Sequence, residues 1–135
     1  MNKLASPLTL QTMTMGAMSV QMVEILGDPW FYAPSLARTL EYRDAANMLR
    51  MVADDEKAPH LVSTPGGAQT AMLVNESGFY RVVMSSQSDL AEPFRKWVFR
   101  EVLPSIRKTG QYSVIQEAKR LGHSMNYDED QWEWL

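Results

Sequence analysis

Between Met18 and Ile25 the residues run Met-Ser-Val-Gln-Met-Val-Glu-Ile, and this alternation of apolar and polar side chains constrains the fold more than any other feature of the chain. A strand with that period places its apolar residues on one face, which has to be buried against something else. Gly27, Asp28 and Pro29 supply turn chemistry, and Trp30-Phe31-Tyr32 predicts a short second strand, so the first element is a β-hairpin. Residues 60–63 and 69–74 flank Thr64-Pro65-Gly66-Gly67-Ala68 and predict a second, central hairpin.

The intervening segments have helical spacing. Pro34 suits a first helical turn, and Leu36, Ala37 and Leu40 predict a short helix over 34–40. After a break at Glu41-Tyr42-Arg43, Asp44 is a good N-cap for Ala45, Ala46, Met48, Leu49 and Val52, which predict a helix over 44–53 and hence a helix-turn-helix-like pair. Asp54, Asp55, Glu56 and Lys57 read as a solvated charge run. Asn75 caps the next helix, with Phe79, Val82, Val83 and Ser86 along one face, before residues 85–89 loosen into a loop. Pro93 then opens an amphipathic helix whose Phe94, Trp97, Val98, Val102 and Leu103 are assigned to the core, and Pro104 is expected to end or kink it.

The expected fold class is α+β: one small domain of N-terminal and central β-hairpins packed with several short helices. A chain of 135 residues with 45% apolar side chains fits a single core. Residues 1–17 are expected to be a loose arm, because Ser6, Pro7, Thr9, Gln11, Thr12 and Thr14 interrupt any signal-like apolar run. With no cysteine and no apolar stretch long enough for a membrane span, the expectation is a soluble protein of a reducing compartment, the cytoplasm.

Nothing in the chain has the look of an enzyme. His60 and His123 stand outside any catalytic motif, Gly66-Gly67 lacks the lysine and following helix of a phosphate loop, and Asp128, Glu129 and Asp130 lack the glycine and distal glutamate of a calcium loop. No catalytic residue, metal or cofactor is expected. Binding has better support. Arg43, Asn47 and Arg50 are spaced to share one helix face, and arginine and asparagine are the side chains that read guanine and adenine. Between residues 94 and 120 seven basic residues stand against Glu101 and Glu117; of these, Arg95, Lys96, Arg100, Arg107 and Lys108 suit either DNA phosphates or an acidic protein. In the tail, Trp132, Trp134 and Leu135 sit among Asp128, Glu129, Asp130 and Glu133, a composition suited to docking on a partner.

Four segments occur together in order: GDPWFYAPSLARTLEYRDAANMLRMV, a hairpin with TPGG, VNESGFYRVVMSS, and FRKWVFREVLPSIRKTGQY. This succession resembles the Bro-N domain of prophage antirepressors and of the Bro proteins of large DNA viruses, over residues 18–112, with 113–135 a C-terminal extension. The resemblance implies a regulator of gene expression without a defined catalytic set. Its expected partner is a repressor or other regulatory protein; the alternative is double-stranded DNA, and a homodimer would match a two-fold partner or site. Relatives commonly have glycine before the tyrosine of the inter-helix turn, where this chain has Glu41, and commonly carry a further C-terminal domain, so the chain is either a stand-alone or a truncated version.

Overall fold

The structure, a computed structural model, describes residues 6–113. It divides into two compact units, Met1–Pro93 and Phe94–Leu135. The first contains a six-stranded sheet of β1 (Leu8–Thr9), β2 (Gln11–Met15), β3 (Met18–Ile25), β4 (Asp28–Tyr32), β5 (Lys57–Thr64) and β6 (Gly67–Asn75), in the order β1-β5-β6-β4-β3-β2. The α+β class is as expected, and both hairpins form.

The sheet curls back on itself. Strands β1 and β2 lie at opposite ends of the order, yet Leu10 alone separates them in sequence. The stretch 8–15 therefore pairs in parallel with β5 through Leu8 and Thr9, and antiparallel with β3 from Gln11 to Met15. A sheet whose two edges are supplied by one bent strand has the beginnings of a barrel, which reduces the unpaired edge it presents. Within the expected loose arm over 1–17, residues 8–9 and 11–15 are instead strands of the sheet. Met13 and Met15 are half-buried while Thr12 and Thr14 are exposed, so a short period-two pattern was present, masked by its uncharged polar residues.

Each face of the sheet has its own apolar cluster. Met22 pairs with Phe31, whereas Val23 pairs with Trp30, so alternate residues diverge to opposite sides. Inside the curl Val23, Val62 and Leu73 are buried with Leu8, Leu10, Ile25, Trp30, Tyr32 and Ala71 packed around them. On the other side Met18, Val20, Met22, Phe31 and Val74 are buried, and α1 (Ala33–Thr39) and α3 (Glu76–Ser85) pack against the sheet there. Phe31 and Phe79 stack at 4.2 Å with their planes 15° apart. The hairpin of β3 and β4 turns through Leu26 and Gly27, both at positive φ (54° and 88°), which is the backbone of a tight primed turn.

The helix over 44–53 is shorter than its apolar spacing predicts. Asp44 does cap it, accepting from the Asn47 amide at 2.7 Å, but α2 covers only Ala45–Leu49. Beyond Leu49 the chain tightens: Arg50, Met51 and Val52 donate three residues back instead of four. The Leu49 carbonyl, which a continuing helix would offer to Ala53, accepts from Lys57 Nζ at 3.1 Å, and the Ala53 amide donates to Glu56 Oε1 at 2.9 Å. Two side chains thus take the bond that the next helical turn requires. The loop at 85–89 is tied down just as firmly, since buried Ser86 and Ser88 donate to the carbonyls of Leu40 and Thr39.

A helical run opens with α4 (Glu92–Trp97) and continues as one π-helical turn (Val98–Val102) and α5 (Leu103–Thr109), so it neither ends nor breaks at Pro104. Proline lacks an N–H and its ring crowds the carbonyl four residues back. The run accommodates it by widening just before it, where the Leu103 amide bonds the Val98 carbonyl, five residues back. Gly110, at φ 83°, ends α5 in the left-handed conformation common after helix C-termini. The core assignment in this run needs correction: Trp97 and Leu103 are exposed, whereas Phe94, Val98 and Val102 are half-buried.

Candidate functional site

The run from Glu92 to Thr109 displays apolar side chains that sequence spacing did not place outside. Phe99, Leu103 and Ile106, four and three apart, are 52%, 48% and 45% exposed, and Trp97 is 40% exposed. Exposed beside them are Lys96, Arg100, Arg107 and Lys108, with Arg95 half-buried. At about 150–250 Å² for an aromatic side chain, half-exposure of these four leaves on the order of 300 Å² of apolar surface, the size of the largest patch on many monomers. Trp97 is also fixed from one side: Tyr112 meets its ring edge-on at 5.9 Å, and Trp97 Nε1 donates to the Tyr112 hydroxyl at 3.3 Å. Phe99 and Ile106 were missed because the stripe through Phe94, Trp97 and Val98 already satisfied helical periodicity. The signal was a second apolar series at 99, 103 and 106, offset from the first.

The other proposed face is less developed. Exposed Arg43 precedes the N-cap and exposed Arg50 is the C-cap of a five-residue helix only about 7 Å long, with half-buried Asn47 at its centre. Arg43 Nε lies 3.4 Å from Asp44 Oδ2, in a pair exposed on both sides. The Asp44 carboxyl is held below its usual range, chiefly by the Asn47 amide it caps and further by the charges of Arg43 and Arg50. Trp132, Trp134 and Leu135, with His123, lie outside the described residues. His60 is on β5, where its ring meets Trp30 edge-on at 5.7 Å.

The segment Asn75-Glu76-Ser77-Gly78-Phe79-Tyr80-Arg81 holds the first unit together through its own bonds. Asn75 caps α3 by accepting from the Gly78 amide at 2.9 Å. Arg81 grips Glu56 with two bonds, both 2.9 Å, and Ser77 Oγ donates to the same carboxylate at 2.7 Å. Glu56 is only 6% exposed, which corrects its reading as part of a solvated run. Arg81 foremost, with Ser77 and the Ala53 amide, holds the Glu56 carboxyl down to about 2, and the same contact raises Arg81. Tyr80 donates to Glu76 at 2.7 Å, and burial with that carboxylate pushes its phenol up to about 12. A Cβ on Gly78 would stand 2.6 Å from Val74 Cγ1, so only glycine lets α3 approach β6 this closely. The turn residue Glu41 has φ 61°, a left-handed backbone that favours glycine, and Tyr42 beside it donates to the Val82 carbonyl at 2.7 Å.

These structural residues coincide with a known pattern: the family model described as BRO family, N-terminal domain, matches residues 19–104. The chain belongs to the BRO family, through its Bro-N domain. The match stops at Pro104, so Ile106, Arg107 and Lys108 lie beyond it. An uncharacterised protein of Haemophilus influenzae is 34% identical over 89 residues, covering 65% of this chain and 44% of its own length. Putative Bro-N domain-containing protein 201R of Invertebrate iridescent virus 6 is 30% identical over 119 residues, covering 73% of this chain and 28% of its own. A second protein of that virus, 289L, with the same description, is 29% identical over 117 residues, or 73% and 28% of the two chains. The chain thus spans less than half the length of these relatives. No solved structure matches. Among the described residues no helix is long and apolar enough to cross a membrane, and no group of three or more His, Asp or Glu is placed to hold a metal ion.

Proposed function

We propose that this Bro-N protein is a regulator of the phage antirepressor type, acting not as an enzyme but by binding a repressor or other regulatory protein in the bacterial cytoplasm. The observation that carries this reading is the exposure of Phe99, Leu103 and Ile106 between Lys96, Arg100, Arg107 and Lys108. An apolar strip bordered by cations fits an acidic, amphipathic protein segment better than a phosphate backbone, which has no use for exposed leucine and isoleucine. Burying about 300 Å² at about 25 cal/mol per Å² contributes roughly 7 kcal/mol before association costs of about 4–15 kcal/mol, so the flanking charges are needed for useful affinity.

Duplex DNA is the second reading, supported by exposed Arg43 and Arg50 on the α2 face and by the same cations acting on phosphates. The five-residue length of α2 weighs against it, because groove-reading helices present contacts over several turns. The test is capture from prophage-induced cells with the full chain and with a Phe99→Ser, Leu103→Ser variant, alongside a mobility-shift series in salt. Loss of the captured regulator with the variant supports protein docking. Duplex binding that falls steeply between about 50 and 200 mM salt, unaffected by the variant, would move the function to DNA.

A further inference from the structure

We propose that the chain's own acidic tail, residues 128–135, docks in cis on the Phe99, Leu103 and Ile106 face and competes there with the outside partner. This rests on the reading of that face as a docking surface and adds how it is regulated. The tail has the chemistry that the face asks for: Asp128, Glu129, Asp130 and Glu133 to meet Lys96, Arg100, Arg107 and Lys108, and Trp132, Trp134 and Leu135 to cover the apolar strip. It contains no basic residue.

Direction and reach agree with this. Gly110 turns the chain at the end of α5, and Tyr112 packs on Trp97, fifteen positions earlier, so the chain leaving the helix starts back along it. About 15 residues separate Ser113 from Asp128 in sequence, and a random coil of that length spans roughly 20 Å, close to the ~18 Å between Lys96 and Lys108 along a helix. Such tethering gives an effective concentration on the order of 1 mM. A second copy of the helix is a poorer occupant, because the same face apposed to itself would set cations against cations.

The test uses the full chain and a labelled synthetic peptide of residues 127–135, read by fluorescence anisotropy at low salt. A tail-neutralised full-length variant (D128N, E129Q, D130N, W132A, E133Q, W134A) should bind the peptide at least ~10-fold more tightly than the wild-type chain, in which the tail already occupies the face. Adding Arg100→Glu to that variant should weaken the peptide at least several-fold, which assigns the binding to this face. Equal affinity for wild type and variant would overturn cis docking while leaving the face as a docking surface. No binding to either would overturn the docking surface as well. A wild-type dimer in sedimentation that the tail substitutions dissociate would place the tail on a second copy, which also overturns the proposal.

Discussion

Replacing Gly78 by alanine separates the packing account of the Asn75–Arg81 segment from simple helix propensity. Gly78 lies in the first turn of α3, and glycine in a helix costs up to ~1 kcal/mol relative to alanine, so propensity alone predicts stabilisation. The structure predicts the opposite. The new methyl would meet Val74 Cγ1 at 2.6 Å and the Glu56 Cβ and carbonyl oxygen at 3.2 Å; both residues are buried, and Glu56 is also held by its hydrogen bonds. Overpacking of this kind costs about 1–3 kcal/mol, which leaves a net loss of up to about 2 kcal/mol after the full propensity gain, and about 1 kcal/mol at the middle of that range. For a chain of this size that corresponds to a fall of very roughly 4–8 °C in Tm, read by thermal denaturation at pH 7. Val74→Ala removes the nearest clashing atom, so the Gly78→Ala, Val74→Ala pair should be less destabilised than the sum of its single changes. A Tm raised by Gly78→Ala would refute the close-approach argument.

Glu41→Gly should raise stability by about 0.5–1 kcal/mol in urea titration, because it relieves a left-handed non-glycine residue, while Glu41→Ala should give no gain. Leu26, 98% exposed at φ 54° in the β3–β4 turn, should behave likewise: Leu26→Asn is expected to raise the urea midpoint, since asparagine tolerates that backbone and no burial is lost. Glu56 is held at about 2 in the folded chain against 4.5 ordinarily, so its contribution is complete above about pH 4.5 and is lost as pH falls towards 2. Urea midpoints measured from pH 6 to pH 2 should therefore fall across that window, and Glu56→Gln should lower the plateau and flatten the slope. Phe79→Ala, which empties the stack on Phe31, should cost about 3–5 kcal/mol.

Most of the first unit was legible in the sequence because its signals were local. Alternation through Met18–Ile25, the Asp44 and Asn75 caps, and the glycines of the turns each specify backbone geometry over a few residues. What was not legible depended on which segments come to meet one another, whether near or distant in the chain. Gln11–Met15 joins the sheet because Met18–Ile25 offers it a ladder, and Glu56 is buried because Arg81 and Ser77 reach it from 25 and 21 residues away. The truncation of α2 likewise follows from Lys57 and Glu56 taking the Leu49 carbonyl and the Ala53 amide. In the helical run the sequence showed amphipathic spacing but not that a π-helical turn would carry the chain past Pro104 and leave Leu103 exposed. Of the candidate site the cations at 95, 96, 100, 107 and 108 were apparent, while the apolar strip that gives them a role was not.

The most direct measurement of the central claim is site-specific photo-crosslinking in cells carrying an inducible prophage, with p-benzoylphenylalanine in place of Phe99 in one chain and of Arg50 in another. The account predicts a discrete adduct with a regulatory protein from position 99 and none from position 50. Adducts with DNA from position 50, together with no protein adduct from position 99, would contradict it.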